Sequence, residues 1–219
     1  MITHAVIWIH GLGDTGRGWS FLSQQLRFPA PANVHYEFPT ADEQRVTCNG
    51  NSKSTSWFDI NDIPVTATEN DNPAGIDASL SRIHALIDSV IEKHSITADK
   101  VVLGGFSQGG AMSLLAGSTY KAPLGAVLCL SGWLLRADLN VKNWSAGQAR
   151  TPVFIGHGMD DNVVVTELGK TAAERIKEAR QACGDGGGVV ELKLYPDTGH
   201  GAAEEELVDV QQFLNKVIK

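Results

Sequence analysis

Cysteine is scarce in this chain of 219 residues: Cys48, Cys129 and Cys183 are odd in number and show no C-x-x-C spacing. A disulfide scaffold and a redox dithiol are thereby excluded, and reduced thiols in a cytoplasmic setting are the expectation. Clusters of Lys or Arg are missing too, and 18 basic against 25 acidic residues leave a net charge of −7. That balance argues against nucleic acid and anionic membrane surfaces as partners. No apolar run approaches the roughly 18 residues that a spanning helix needs, so stable membrane insertion is not expected. The opening MITHAVIWIHG has neither a basic region nor a small-residue cleavage site and reads as a first strand, not a signal peptide. Metal-ligand spacings such as H-E-x-x-H are lacking, so no catalytic metal is implied. Without a repeat, a low-complexity tract or a linker, residues 1–219 read as one domain.

What is present is an alternation of two periodicities. Val/Ile/Leu-rich runs recur at Ala5–Ile9, Val34–Phe38, Val101–Phe106, Ala126–Leu130, Val153–Ile155 and Val189–Tyr195. Between them, Ile76, Leu80, Ile83, Ile87, Val90 and Ile91 fall at helical spacing, as do Leu168, Ala172, Ile176 and Ala179, and finally Leu207, Val210, Leu214, Val217 and Ile218. This pattern predicts an α/β fold: a mainly parallel sheet with helices on both faces. Cys129, inside AVLCLSGW, reads as a core residue. The stretch from Thr40 to Asn72 shows no periodicity, and a loop of that length inside a compact domain is commonly functional. Trp57 and Phe58 lie within it, either as aromatic anchors to the core or as a wall beside a site. The glycine cluster Gly184–Gly188 reads as a flexible connection.

The chain is organised around KVVLGGFSQGGAMSLLAG, Lys100 to Gly117. An apolar strand runs into Gly105-Phe106-Ser107-Gln108-Gly109 and then into an Ala/Met/Leu helix. In G-x-S-x-G the serine occupies a strained turn, and a side chain at either flanking glycine would strike a neighbouring strand or helix. Such a turn lifts the Ser107 hydroxyl clear of the sheet and leaves the Gln108 N–H at a helix N-terminus, where a developing oxyanion is favoured. The competing reading, a glycine-rich loop with an ordinary N-cap serine, is weakened by the strand before and the helix after.

A serine nucleophile needs a base, and the base needs a carboxylate to fix its tautomer. Of seven histidines, His200 is best placed, just past a strand and ahead of the last helix. His84 and His94 belong to a helix, and His4 and His35 to strands. The acid should come from the loop after the strand TPVFIGHG, which holds Asp160 and Asp161. The resulting order Ser, Asp, His is that of the α/β-hydrolases. Gly11, Gly13 and Gly16, with Glu37 further on, formally match a dinucleotide fingerprint. The rival reading makes Leu12 N–H the second oxyanion donor and puts Ser107, Asp161 and His200 to use, whereas a dinucleotide site leaves them idle. His10 and His157 each precede a glycine at a strand end and read as loop-fixing hydrogen-bonders.

IHGLGDTGRGW, SWFDI, LGGFSQGGAMSL, LSGWL, GHGMDDNVV and Gly199-His200 together resemble the acyl-protein thioesterase and small carboxylesterase family, lysophospholipase-like members of the α/β-hydrolases. The resemblance spans most of the chain. It implies Ser107 as nucleophile, Asp161 (four residues after His157) as acid, His200 as base, and Leu12 and Gln108 as oxyanion hole. It further implies that Trp57 lines the acyl pocket. Members cleave thioesters of S-acylated proteins and small oxygen esters without a cofactor, and many form homodimers, so acylated proteins or small acyl esters are the expected partners. The chain is too short for a large cap domain. Small or lipid oxygen esters, cleaved by a carboxylesterase or lysophospholipase, are the alternative substrate class, and a non-catalytic hydrolase-like binding module is the alternative from a different class.

Overall fold

The computed structural model describes residues 1–28, 32–145, 148–182 and 187–218. In chain order the elements are β1 (His4–Ile9), α1 (Leu22–Gln25), β2 (Val34–Glu37), β3 (Glu43–Val46), β4 (Ser52–Thr55), α2 (Ile76–His94) and β5 (Val101–Phe106). They continue with α3 (Gln108–Thr119), β6 (Ala126–Leu130), α4 (Ala137–Ser145), β7 (Val153–Gly158), α5 (Thr166–Gln181), β8 (Val190–Tyr195) and α6 (Glu204–Val217). Six strands form one sheet in the order β2-β1-β5-β6-β7-β8, every pair parallel.

The central strands β1, β5, β6 and β7 are buried on both faces because both faces are covered, as parallel sheets require. Successive side chains alternate between two cores. Val6, Trp8, Val102, Leu128 and Phe154 pack with Leu22 of α1 and with Val210, Phe213 and Leu214 of α6. Ala5, Ile7, Leu103, Val127 and Ile155 pack with Ile83 and Ile87 of α2, the apolar body of α3, and Ala172 and Ile176 of α5. Cys129 belongs to this second core, and burial pushes its thiol up to about 12. Cys48 and Cys129 are free thiols, while Cys183 lies outside the described residues.

One expectation needs correction. The stretch from Thr40 to Asn72 is not unstructured: β3 and β4 form an antiparallel hairpin with Glu43 opposite Thr55 and Val46 opposite Ser52. It then returns to the domain through a parallel bridge between Val65 and Val164. The strand that begins at Val153 runs to Gly158, as the stretch TPVFIGHG implies, with His157 fully buried. In the glycine cluster, residues 184–186 lie outside the described residues. Gly188 is tethered, donating to Ala149 O at 2.7 Å and accepting from the Arg180 guanidinium at 2.6 Å.

Because all six strands run the same way, β1, β5, β7 and β8 deliver their following loops to one edge of the sheet. Gly11–Gly13, Ser107, Asp161 and His200 meet there, the edge at which open parallel sheets carry their sites.

Candidate active site

Ser107 joins β5 to α3 in a backbone conformation that L-residues rarely adopt, with φ 54° and ψ −119°. The strain persists because the surroundings enforce it. A Cβ on Gly109 would lie 2.0 Å from the Ile9 carbonyl oxygen, and one on Gly105 would lie 2.3 Å from the Gly109 carbonyl oxygen. The flanking glycines therefore permit the close approach of α3 to the ends of β1 and β5. Ser107 N–H donates to Leu130 O at 2.8 Å, pinning the turn to the neighbouring strand.

Three side chains form a hydrogen-bonded line. Ser107 Oγ lies 3.0 Å from His200 Nε2, and His200 Nδ1 lies 2.8 Å from Asp161 Oδ2. A carboxylate can only accept, so the imidazole proton resides on Nδ1, leaving Nε2 to accept from the Ser107 hydroxyl. The other oxygen of Asp161 accepts the N–H groups of Val163 and Val164 at 2.9 and 2.8 Å. Burial opposes the charge on Asp161. Hydrogen bonds from His157, His200, Val164 and Val163 outweigh it and hold the carboxyl well below the usual range. His157 Nε2 lies 3.4 Å from Asp161 Oδ2 and 2.9 Å from Val164 O, so it braces the acid loop. The neighbouring Asp160 points to solvent, and its backbone N–H donates to Thr198 O at 3.0 Å.

The Gly11–Gly13 turn and the start of α3 lie side by side: a Cβ on Gly11 would sit 3.4 Å from that of Ser107. Gln108, first in α3, has no carbonyl four residues back to bond. Leu12 N–H has no backbone acceptor among the described residues. Leu12 lines the cleft that opens over Ser107. The reading of this turn as a dinucleotide fingerprint fails on geometry. Gly16 opens only a four-residue 3-10 turn, Gly16–Trp19, rather than a helix with its N-terminus over a pyrophosphate. Gly16 is there because a Cβ would lie 1.9 Å from the Phe38 carbonyl oxygen.

Trp57 is placed differently from the wall that the resemblance implies. It is 1% exposed and is not among the described residues lining the cleft. Its indole N–H donates to His10 O at 2.9 Å, and its backbone N–H donates to Gln108 Oε1 at 2.9 Å. A cleft of about 210 Å³ opens over Ser107, walled on its apolar side by Ile60, Ile63, Val65, Phe106, Val163 and Val164. Sequence reasoning missed these wall residues. The signal for three of them was present, namely Ile60, Ile63 and Val65 standing apart in an otherwise polar stretch. Among the described residues no group of three or more His, Cys, Asp or Glu is arranged to hold a metal, and no helix is long and apolar enough to cross a membrane.

The phospholipase/carboxylesterase family model matches residues 2–218. An acyl-protein thioesterase 1 from Gibberella zeae is 40% identical, the match covering 98% of this chain and 90% of that protein. Carboxylesterase SOBER1 from Arabidopsis thaliana is 30% identical over 98% of this chain and 90% of its own. The SOBER1 crystal structure superposes with a TM-score of 0.88, covering 99% of this chain and all of that one at 29% identity. Zea mays acyl-protein thioesterase 2 gives 0.79 at 26% identity, covering all of this chain and 95% of that one. With a six-stranded parallel sheet, helices on both faces and no large cap, the chain belongs to the phospholipase/carboxylesterase family of α/β-hydrolases and is an enzyme of the thioesterase and carboxylesterase kind.

Proposed function

We propose that this chain, acting as one α/β-hydrolase domain, cleaves S-acyl groups from proteins through an acyl-enzyme on Ser107. The observation that carries the proposal is the Ser107–His200–Asp161 line, with spacings of 3.0 and 2.8 Å, at the apex of a strained elbow. Ser107 Oγ attacks the acyl carbonyl as His200 Nε2 takes its proton. The oxyanion that forms is met by the N–H groups of Leu12 and Gln108. His200 then returns the proton to the departing thiolate, and the C–S bond breaks. Water enters along the same path, loses a proton to His200 and releases the carboxylic acid, which regenerates Ser107. Asp161 stays ionised throughout, holding the Nδ1 tautomer and offsetting the imidazolium charge. No cofactor is needed for this sequence of steps. The fungal relatives support thioester substrates, and the free thiols of Cys48 and Cys129 fit a cytoplasmic location.

A second reading, a carboxylesterase for short oxygen esters, is favoured by one observation. The cleft of about 210 Å³ is below the roughly 300–1,000 Å³ typical of drug-sized ligand sites. One panel of matched oxygen esters and acyl-thioesters from two to sixteen carbons decides between them. Each further buried methylene is worth about 0.8 kcal/mol, close to a fourfold gain in kcat/KM. A rise sustained past eight carbons supports the thioesterase reading, whereas a maximum at two to four carbons transfers the assignment to the esterase. Full activity in Ser107→Ala would overturn both.

A further inference from the structure

The two N–H groups that flank Ser107 belong to segments far apart in the chain, and their spacing must suit a single oxygen. We propose that Trp57 sets that spacing as a positioning residue, bracing the Leu12 strip against the start of α3; the proposal rests on the reading of Ser107 as nucleophile.

Trp57 bonds to both segments at once. Its backbone N–H donates to Gln108 Oε1, and its indole N–H donates to His10 O, each at 2.9 Å. Every attachment point is itself immobilised. Gln108 Nε2 donates to Ser56 Oγ at 2.9 Å and to Phe58 O at 2.7 Å, so its amide clasps the residues on both sides of Trp57. His10 Nε2 accepts Ala41 N–H at 3.0 Å, which puts the ring proton on Nδ1, where it donates to Gly11 O at 2.6 Å. Burial lowers the pKa of His10 and keeps this neutral tautomer. The Trp57 carbonyl is held by the Ser79 hydroxyl. Trp57, His10 and Gln108 are each at most 1% exposed. The indole N–H groups of the buried Trp8, Trp133 and Trp144 have no hydrogen-bond partner among the described residues, whereas that of Trp57 is tied to the His10 carbonyl. A strut needs such a tie at each end.

The hole must place its donors about 2.7–3.1 Å from the oxyanion, a position the ground-state carbonyl oxygen does not occupy. A loosened strut therefore affects the transition state more than the bound ester. Trp57→Phe keeps the ring bulk and deletes the indole donor. The expected result is a loss of about 10- to 100-fold in kcat with KM within about threefold of the parent. Affinity for a trifluoromethyl ketone of matched chain length, which forms a tetrahedral oxyanion on Ser107, should fall in parallel. Affinity for the corresponding non-hydrolysable thioether should hold. Gln108→Met, which keeps the backbone N–H and removes the acceptor for Trp57, serves as the second variant if Trp57→Phe folds poorly, and should give the same split. A folded variant whose trifluoromethyl ketone affinity stays within about twofold of the parent returns Trp57 to a packing role. Activity that survives Ser107→Ala instead removes the reading on which the inference rests.

Discussion

Two adjacent aspartates follow β7, and only the second turns toward the imidazole. The backbone N–H groups of Val163 and Val164 draw the Asp161 carboxylate inward, while Asp160 remains in solvent. Residue type alone does not separate them, since either could serve the loop. The four-residue spacing from His157 makes the choice, and the structure gives that spacing a cause, because His157 itself contacts Asp161 at 3.4 Å. Asparagine at 161 would preserve shape but offer N–H where His200 needs an acceptor. Asp161→Asn is expected to lose at least about two decades in kcat, and Asp160→Asn to stay within a few-fold. Turnover of one activated ester by both variants checks the ranking, and the reverse order would disprove the proposed role of Asp161.

Elements were legible in proportion to how completely they are buried. The central sheet strands show as apolar runs because both faces are covered, and α2, α5 and α6 show because each presents one apolar stripe. The β3–β4 hairpin stayed hidden because EQRV and SKST stand largely in solvent and bury little beyond Val46. Helix α4 was missed for a related reason, with Leu139 exposed and Trp144 fully buried at too few positions to set a period. The G-x-S-x-G elbow was the most legible feature, since its glycines answer to contact distances rather than to propensity. Gly109→Ala would drive a Cβ to 2.0 Å from Ile9 O and 2.6 Å from His10 O, forcing α3 away from β1. The cost should be about 1–3 kcal/mol, or roughly 2–12 °C in Tm for a chain of this size. Activity should fall by more than about 100-fold in protein that remains folded, because the donors separate. Calorimetry with an esterase assay at 20 °C tests both halves, and a fully active Gly109→Ala would mean the elbow tolerates a wider gap.

At the scale of the whole molecule, one buried carboxyl among the described residues stands outside the proposed chemistry. Glu206 in the first turn of α6 is fully buried beneath β7, where a Cβ on Gly156 would lie 2.1 Å from its Oε1. Burial, helped by the charge of Asp209 and opposed by the Ala203 backbone, pushes it up to about 8. A carboxyl raised in the folded state makes no difference below its unfolded value of 4.5, where both states hold the proton. Between there and about 8 the folded chain holds a proton that the unfolded chain has lost, so stability falls as pH rises and then levels off. Glu206→Gln keeps the shape without that titration. Its Tm relative to the parent should climb between pH 5 and pH 8 by several degrees, corresponding to a few kcal/mol. Parallel melting curves across that range would show that Glu206 does not bind its proton more tightly when folded. The order of the parts along the chain also has a consequence in time. Ser107 leaves the ribosome 93 residues ahead of His200, an interval on the order of 5–20 s at ordinary rates of synthesis. Throughout that interval the elbow can form on β1 and β5 while its serine is still an unassisted alcohol. On the proposed mechanism, a nascent chain cannot hydrolyse acyl groups until β8 joins the sheet and the loop after it brings His200 to Ser107.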